Sequence, residues 1–315
     1  MLPDGRRLGA HLPLAGGMVQ AVERAHEIGA DALQIWTDNP TAWRRRREPP
    51  TELAAFRDRL IDHDIRPVAI HAAYLVNLAG PEPGTFARSV ELLAHELRGA
   101  PTFRARFVNV HIGSHRGTSP DAGVQRLADG VAQVLAEVDE GPDGAILALE
   151  NSVGGGWGIG TTVDELAAIA DAIAARGVDR SRVGFCLDTA HAWGAGIDIG
   201  DPATVDRFLA AFDERIGLDR LVMVHLNDSR ADLGSRVDRH EHLGAGRIGR
   251  AGLAHLFRHP SLAHATYYLE TPGMDAGYDA VNMDRARALF AGEPLAELPA
   301  EAFELRSSRA RTAPA

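Results

Sequence analysis

The sequence predicts a single-domain α/β protein built as a closed (β/α)8 barrel. Eight short apolar runs recur along the 315 residues, and the ends of successive runs lie 25 to 45 residues apart. Each interval has room for a loop, a helix and a second loop. Continuous apolar strands that alternate with amphipathic helices are typical of a parallel sheet covered by helices. Eight such units favour a closed barrel, with an open parallel sheet as the alternative.

The predicted strands mostly end in polar residues. The runs are LGAH to His11, ALQIW to Trp36, PVAIH to His71, FVNVH to His111, ILALE to Glu150, VGFCLD to Asp188, LVMVH to His225 and TYYLE to Glu270. Between them, apolar residues spaced three or four positions apart predict helices over 86–97, 163–173 and 205–216. Thr162 and Asp201 stand where the N-caps of two of these helices belong.

The chain has no Pro-, Ser- or Gly-rich linker, so we expect one barrel domain over residues 1–291. Residues 292–315 are rich in Ala, Glu, Pro and Arg and carry only scattered apolar side chains. This composition predicts a loosely attached C-terminal tail.

The charged residues exclude several classes of protein. The formal net charge is −10, and all 33 basic residues are Arg. Without lysine, the chain has no side-chain amine for a Schiff base and no P-loop lysine. The acidic balance argues against nonspecific coating of nucleic acid or of an anionic membrane. Cys186 is the one cysteine and is expected in the core. A single cysteine cannot form an intrachain disulfide, which suits a reducing compartment. Because no apolar leader begins the chain either, we expect a cytoplasmic protein.

The polar strand ends predict a metal centre, because the C-terminal ends of barrel strands meet at one mouth. His191 follows Asp188 by three residues, and Asp238 and His240 lie two apart on a predicted loop. Such a concentration of imidazoles and carboxylates is unfavourable without cations between them. The nine candidate ligands are His71, His111, Glu150, Asp188, His191, His225, Asp238, His240 and Glu270. As N and O donors they suit Zn²⁺ or Mn²⁺, and they suffice for two or three ions.

The predicted centre favours one reaction class over another. Clustered divalent ions can activate a water and stabilise both oxygens of an in-line displacement at phosphorus, so phosphoester hydrolysis is the leading hypothesis. A sugar isomerase or epimerase is the alternative, although nine ligands exceed what that chemistry needs.

Six segments resemble the endonuclease IV family of zinc-dependent apurinic/apyrimidinic endonucleases. They are HAAYLVNL (71–78), NVHIGSH (109–115), LENSVGGGWGIG (149–160), CLDTAHAWGAGID (186–198), HLNDSRADLGSRVDRHEHLGAGRIG (225–249) and ETP (270–272). The resemblance implies a TIM barrel that binds three zinc ions, with Mn²⁺ as an alternative at one position. It also implies a monomer that cleaves duplex DNA 5′ to an abasic site, leaving a 3′-hydroxyl and a 5′-deoxyribose phosphate.

The resemblance assigns a role to each candidate ligand. The first zinc would be bound by His71, His111 and Glu150, and Glu150 would bridge to the second. The second would be completed by Asp188, His225 and Glu270, and the third would be bound by His191, Asp238 and His240. Glu150 and Glu270 would be catalytic, because they would lie close enough to the attacking hydroxide to influence its protonation. From their position just past the seventh strand, Asn227 and Asp228 are expected to orient His225 or its neighbours.

The family flips the abasic nucleotide out of the duplex and fills the gap with loop side chains. Tyr74 and Leu75 match those positions with an aromatic plane and an apolar wedge. Thr41 stands where the family tends to carry an inserting Arg, whereas Arg44 and Arg45, in the run Arg44–Arg47, could contact phosphates.

Three further positions depart from the family pattern: Ile112 replaces a Pro, and Gly155 and Trp157 replace polar residues. These departures concern the DNA contacts and not the metal ligands. They leave open a third hypothesis, a non-catalytic protein that binds abasic sites.

Overall fold

A computed structural model describes residues 1–305 apart from positions 15, 47, 139–140 and 142–143. Its strands are β1 (Leu8–His11), β2 (Ala32–Ile35), β3 (Val68–His71), β4 (Ala105–His111), β5 (Ile146–Glu150), β6 (Val183–Asp188), β7 (Leu221–His225), β8 (Asp228–Ser229), β9 (His240–Glu241) and β10 (Thr266–Leu269). Strands β1–β7 and β10 pair in parallel and close into a barrel, and β8 and β9 form a small antiparallel pair. The predicted closed barrel is confirmed, and the open sheet is wrong.

Most of the helices cover the outside of the barrel, and the short helix after β6 lies at its mouth. The helices are α1 (Met18–Glu27), α2 (Leu53–Asp62), α3 (Pro83–Gly99), α4 (Pro120–Glu137), α5 (Val163–Ala174), α6 (Thr189–Ala195), α7 (Pro202–Arg215), α8 (Arg250–Arg258) and α9 (Tyr278–Ala291). The three helices predicted from apolar spacing are confirmed as α3, α5 and α7. Among the described residues, no helix has the length and apolar character needed to cross a membrane.

Both predicted N-caps are confirmed. Thr162 accepts a hydrogen bond from the backbone N–H of Glu165 at 3.2 Å through its side chain. The Asp201 carboxylate accepts hydrogen bonds from the N–H groups of Ala203 and Thr204, at 3.3 and 3.1 Å. Each cap satisfies N–H groups that the first helical turn leaves without an intrahelical acceptor.

The inside of the barrel is filled below its mouth. Cys186, as predicted, is a buried core residue and is 1% exposed. It packs with a layer of inward-facing side chains from Ala32, Ala69, Phe107, Ile146, Ala148, Met223 and Tyr268. The interior of the barrel is therefore a packed core, and the polar strand ends lie directly above this apolar layer.

Strand register brings the polar ends to one level. His111 pairs with Glu150 across β4 and β5, and Asp188 pairs with His225 across β6 and β7. Strand β10 stops at Leu269, one residue before the predicted end. The backbone N–H of Glu270 instead donates to the Asn227 side chain at 2.9 Å.

The described part of the predicted C-terminal tail packs against the barrel. Ala302 is fully buried, and its carbonyl oxygen lies 3.0 Å from Nε2 of His242. Arg285 of α9 donates to the carbonyl of Ala296. These donors on the barrel therefore bind two carbonyls of the segment, and the loose attachment expected over 292–315 stays a prediction. Residues 306–315 lie outside the described residues.

Candidate metal centre

The first group of candidate ligands contains His71, His111 and Glu150, at the ends of β3, β4 and β5. One ligand atom of each lies within 4.8 Å of the others. Nε2 of His71 and Nε2 of His111 are 3.5 and 3.4 Å from Oε2 of Glu150. Nδ1 of His71 donates to the carbonyl of Ala72 at 2.7 Å, so the lone pair of His71 is on Nε2 and faces Glu150.

The second group shares Glu150 with the first and adds Asp188 and His225. Nδ1 of His225 lies 3.4 Å from Oε1 of Glu150, 3.9 Å from Oδ2 of Asp188 and 3.6 Å from Oε2 of Glu270. All three carboxylates therefore converge on one ring nitrogen. The two oxygens of Glu150 face different groups, which is the arrangement of a bridging ligand.

The third group contains Asp188, His191 and His240, with Asp238 beside them. Nε2 of His191 and Nε2 of His240 lie 3.4 and 3.1 Å from the Asp238 carboxylate. Nε2 of His240 is also 3.6 Å from Oδ2 of Asp188. The Oδ1 atom of Asp188 caps α6 by accepting from the His191 N–H at 2.9 Å, which leaves Oδ2 toward the mouth.

Backbone carbonyls orient both imidazoles of the third group. Nδ1 of His191 lies 2.9 Å from the carbonyl of Asn151, and Nδ1 of His240 lies 2.7 Å from the carbonyl of Glu270. A donor role for Nδ1 leaves the Nε2 lone pair pointing at the carboxylates. Hydrogen bonds of this kind commonly fix the tautomer of metal-binding histidines.

The distances within the first two groups fit cations better than direct hydrogen bonds. The imidazole nitrogens lie 3.4–3.9 Å from the carboxylate oxygens, beyond the roughly 2.7–3.2 Å of an N–H···O hydrogen bond. Ligand atoms around a tetrahedral zinc ion are roughly 3.4 Å apart. Among the described residues, Nε2 of His71, Oε1 of Glu150 and Nδ1 of His225 are buried atoms that make no hydrogen bond. The donor set therefore fits divalent zinc.

The titratable groups at the mouth influence one another strongly. Burial raises the pKa of Glu150, but the neighbouring histidines His111, His225 and His191 outweigh it and hold that pKa well below its ordinary value. Burial lowers the pKa of His191, yet Asp188 and Asp238 raise it well above its ordinary value. The carboxylates that raise the pKa of His191 would equally attract a bound cation.

Known proteins carry the same barrel. Residues 22–303 match the family described as xylose isomerase-like TIM barrel. The probable endonuclease 4 of Methanoculleus marisnigri is 39% identical over 282 residues, which cover 90% of this chain and 98% of that protein. The chain belongs to the endonuclease IV family. That membership places it among the hydrolytic nucleases.

Solved structures agree with this assignment. The crystal structure of endonuclease IV from Thermus thermophilus superposes with a TM-score of 0.79 at 37% identity, covering 91% of this chain and 99% of that one. A D-tagatose 3-epimerase-like protein reaches a TM-score of 0.64 at 17% identity and covers 89% of this chain and 94% of that one. The second likeness shows a shared fold alone.

Two site residues of this endonuclease IV family member escaped the sequence analysis. Gln34 of β2 donates from Nε2 to Oε1 of Glu270 at 2.9 Å, and Asn109 of β4 donates from Nδ2 to Oε2 of Glu150 at 2.6 Å. Both are fully buried. Residues two apart on a strand face the same side of the sheet. Gln34 lies two residues after inward-facing Ala32, and Asn109 lies two before His111, so this spacing could have identified both.

Of the two residues just past β7, Asn227 orients neighbouring ligands as predicted, whereas the Asp228 carboxylate accepts from the N–H groups of Gly246 and Ile248 at 2.9 and 3.0 Å. The Nδ2 atom of Asn227 donates to Oδ2 of Asp188 at 2.9 Å, and its Oδ1 atom accepts from the N–H of Glu270 at 2.9 Å. The Asn227 side chain therefore holds Asp188 and Glu270 in place, and it does so from a fully buried position.

Tyr74 and Leu75 lie on the loop after β3 and are half-buried. The Tyr74 ring centroid is 5.8 Å from that of His71 and 6.0 Å from that of His111. The ring also packs against Trp36, with centroids 5.6 Å apart. The loop thus places an aromatic plane directly beside the first group.

Arg44 and Arg45 have different surroundings. Arg44 is exposed, whereas the Arg45 side chain is only 8% exposed and its Nε lies 3.4 Å from Oε1 of buried Glu96. NH1 of Arg45 also donates to the carbonyl of Ala42 at 2.8 Å. These contacts hold Arg45 within its own loop, and its phosphate contact stays a prediction. Arg47 lies outside the described residues.

The departures from the family pattern lie around the mouth. Thr41 is exposed. Its backbone N–H and its hydroxyl donate hydrogen bonds to Oδ1 of Asn39, at 2.9 and 2.8 Å. Ile112 is buried, and its side chain fills the space over Gly160, where a Cβ would lie 2.5 Å from Ile112 Cδ1. Trp157 is 59% exposed on the loop that also holds Gly155.

Proposed function

We propose that this chain is a DNA-repair phosphodiesterase that hydrolyses duplex DNA 5′ to abasic sites with three zinc ions, leaving a 3′-hydroxyl and a 5′-deoxyribose phosphate. The arrangement that carries the proposal is a set of nine N and O donors in three adjoining groups, joined through Glu150 and Asp188. An isomerase or epimerase on this barrel needs fewer ligands.

The proposed ligands divide among the ions by their contacts. His71, His111 and Glu150 would bind the first ion. Glu150, Asp188, His225 and Glu270 would bind the second, and His191, Asp238 and His240 the third. Bound zinc would supply Lewis acidity, neutralising phosphate charge and activating water for in-line attack at phosphorus.

Glu150 and Glu270 are the proposed proton-handling residues. Glu150 is fully buried at the junction of the first two groups, where a carboxylate oxygen can accept a proton from an attacking water. Oε1 of Glu270 accepts from Gln34 at 2.9 Å, which fixes the carboxylate plane and directs Oε2 toward His225, 3.6 Å away. The amide thereby orients the oxygen that would face the reacting phosphate.

The DNA contacts follow from the loops at the mouth. Tyr74 and Leu75 would occupy the gap left by an extruded abasic nucleotide, since their loop borders the first group. Exposed Arg44 would contact a backbone phosphate. Three bound zinc ions would also reduce the net charge from −10 to −4, which weakens the repulsion between protein and DNA.

The absence of lysine favours hydrolysis over β-elimination at an abasic site. A β-elimination at an abasic site proceeds through a Schiff base with an amine, and this chain has no lysine side chain to form one. Hydrolysis is therefore the expected route. We expect a monomer, and one buried cysteine suits a reducing cytoplasm.

The decisive experiment uses zinc-loaded protein and a duplex with one tetrahydrofuran abasic analogue. We expect a single incision 5′ to the analogue, a 3′ end that a polymerase extends, and loss of cutting in a chelator. The same duplex with an intact base at that position is the control. No incision at high enzyme would overturn the proposal.

Metal content separates the rival hypotheses. About three zinc ions bound at the mouth support the nuclease or a non-catalytic binder of abasic sites, and about one ion there supports an epimerase that would turn over a ketose. A gel shift of the abasic duplex without a nick would favour the non-catalytic binder.

A further inference from the structure

A second cluster of N and O donors lies away from the mouth, on the outer helices α7 and α8. Asp206 belongs to α7, and His255 and His259 lie on and directly after α8. The two histidines are four residues apart, so they stand one turn apart on the same helix face. One ligand atom from each of the three residues lies within 4.8 Å of the others.

The geometry inside this cluster is that of a shared oxygen. Oδ1 of Asp206 lies 2.5 Å from Nε2 of His255 and 3.6 Å from Nε2 of His259. Among the described residues the His259 ring makes no hydrogen bond, and its Nδ1 atom is buried.

We propose that Asp206, His255 and His259 bind one divalent transition-metal ion, Zn²⁺, on the outer surface of the barrel. Two imidazoles and one carboxylate are zinc ligands, and water would complete a tetrahedron. Ligand atoms around tetrahedral zinc are roughly 3.4 Å apart. The separation between His259 and Asp206 is already close to that value.

The His255 side chain has to move by about 1 Å to reach the same spacing. The side chains of His255 and Asp206 are 36% and 56% exposed, so neither is confined by packing. A rotamer adjustment at the surface is sufficient. The cluster can therefore change from a direct ion pair to a metal site without moving the helices.

The nearby charges allow a cation at this place. NH2 of Arg6 donates to the carbonyl of His259 at 2.9 Å, so one guanidinium lies beside the cluster. Nε of Arg6 pairs with the Asp4 carboxylate at 2.8 Å, which offsets its charge. A bound ion would link α7 to α8 and so stabilise the folded barrel by binding only the native state.

The test titrates zinc-loaded protein with further Zn²⁺ by calorimetry, using wild type, His255→Gln, His259→Gln and the control His264→Gln. His264 is exposed and lies outside the cluster. We expect wild type and the control to bind one additional ion, with at least tenfold weaker binding in the two cluster variants. The mouth is intact in all four proteins, so its contribution cancels.

A thermal unfolding series gives a second readout. Added Zn²⁺ should raise the Tm of wild type and His264→Gln more than that of His255→Gln or His259→Gln. DNA cleavage should be equal in all four, which keeps the result separate from the proposed function. Absence of an additional ion in wild type, or equal uptake by all four proteins, would overturn the site and leave Asp206 and His255 as an ion pair.

Discussion

Gln34 accepts a hydrogen bond from Nε2 of His225 through its side-chain oxygen, at 3.0 Å. An amide oxygen can only accept, so His225 carries its proton on Nε2 and turns the lone pair of Nδ1 toward Glu150. The nitrogen of the same amide donates to Glu270 at 2.9 Å. A flipped amide would set acceptor against acceptor and donor against donor. One buried side chain thus orients two proposed zinc ligands.

Replacing Gln34 with Met should weaken zinc binding in the second group, because His225 loses the acceptor that selects its tautomer. Removing such an outer partner typically costs about 10- to 100-fold in metal affinity or activity. Zinc affinity measured by chelator competition, together with kcat on an abasic duplex, checks the effect. Gln133→Met, at an exposed position of α4, is the control. Equal zinc affinities for the two variants would contradict the assignment.

Tyr74→Ala should weaken binding of abasic duplex, because it removes the aromatic plane beside the first group. Stacking of one base on an aromatic side chain contributes about 1–3 kcal/mol, which corresponds to roughly 5- to 150-fold in Kd. Fluorescence anisotropy in a Glu270→Gln background measures binding without cleavage. Tyr74→Phe keeps the ring and should bind nearly as wild type. If Tyr74→Phe loses as much affinity as Tyr74→Ala, stacking is not the cause.

Arg44 and Arg45 should respond differently to substitution by Ala. Loss of the proposed phosphate contact of exposed Arg44 should reduce the slope of log Kd against log salt concentration by about 0.9. Loss of Arg45 should instead destabilise the loop, since its side chain binds Glu96 and the Ala42 carbonyl. Salt titrations of DNA binding and urea unfolding distinguish the two effects. A smaller salt slope for Arg45→Ala alone would reverse the assignment.

The sequence predicted those parts of the site that depend on local pattern. An apolar run followed by a polar residue marks a strand end, and a parallel barrel brings all such ends together, as His111 and Glu150 show by pairing in register. The Gln34 side chain also faces the inside of the barrel, but Gln34 lies within β2. The pattern of polar strand ends therefore does not include it. Its partners His225 and Glu270 are 191 and 236 residues away in the chain, so no local sequence pattern predicts these contacts.

The surroundings of the arginine run could not be predicted for a related reason. A run of like charges usually marks a solvated surface, and Arg44 conforms to that rule. Arg45 instead points toward Glu96, which lies on α3 and is 3% exposed. That pairing depends on how the loop after β2 folds onto a helix further along the chain. The sequence alone does not contain the distance between them.

Glu96 should make the stability of the protein depend on pH. Burial raises its pKa above the ordinary value, although the Thr37 hydroxyl, at 2.6 Å, and Arg45 oppose the shift. Between the ordinary and the raised pKa the folded chain holds more protons than the unfolded chain. The contribution of Glu96 to the free energy of unfolding is therefore complete below about pH 4.5 and is lost as pH rises through the raised value.

Glu96→Gln removes that titration while keeping the side-chain shape. As pH rises from about 4.5 to 7.5, the free energy of unfolding of wild type should fall relative to that of the variant. Urea unfolding of both proteins across this range measures the difference, in which any effect of zinc on the two chains cancels. Glu91→Gln, at an exposed position on the same helix, controls for the loss of one carboxylate. A difference that grows in the opposite direction would mean that Arg45 and Thr37 outweigh the cost of burying Glu96.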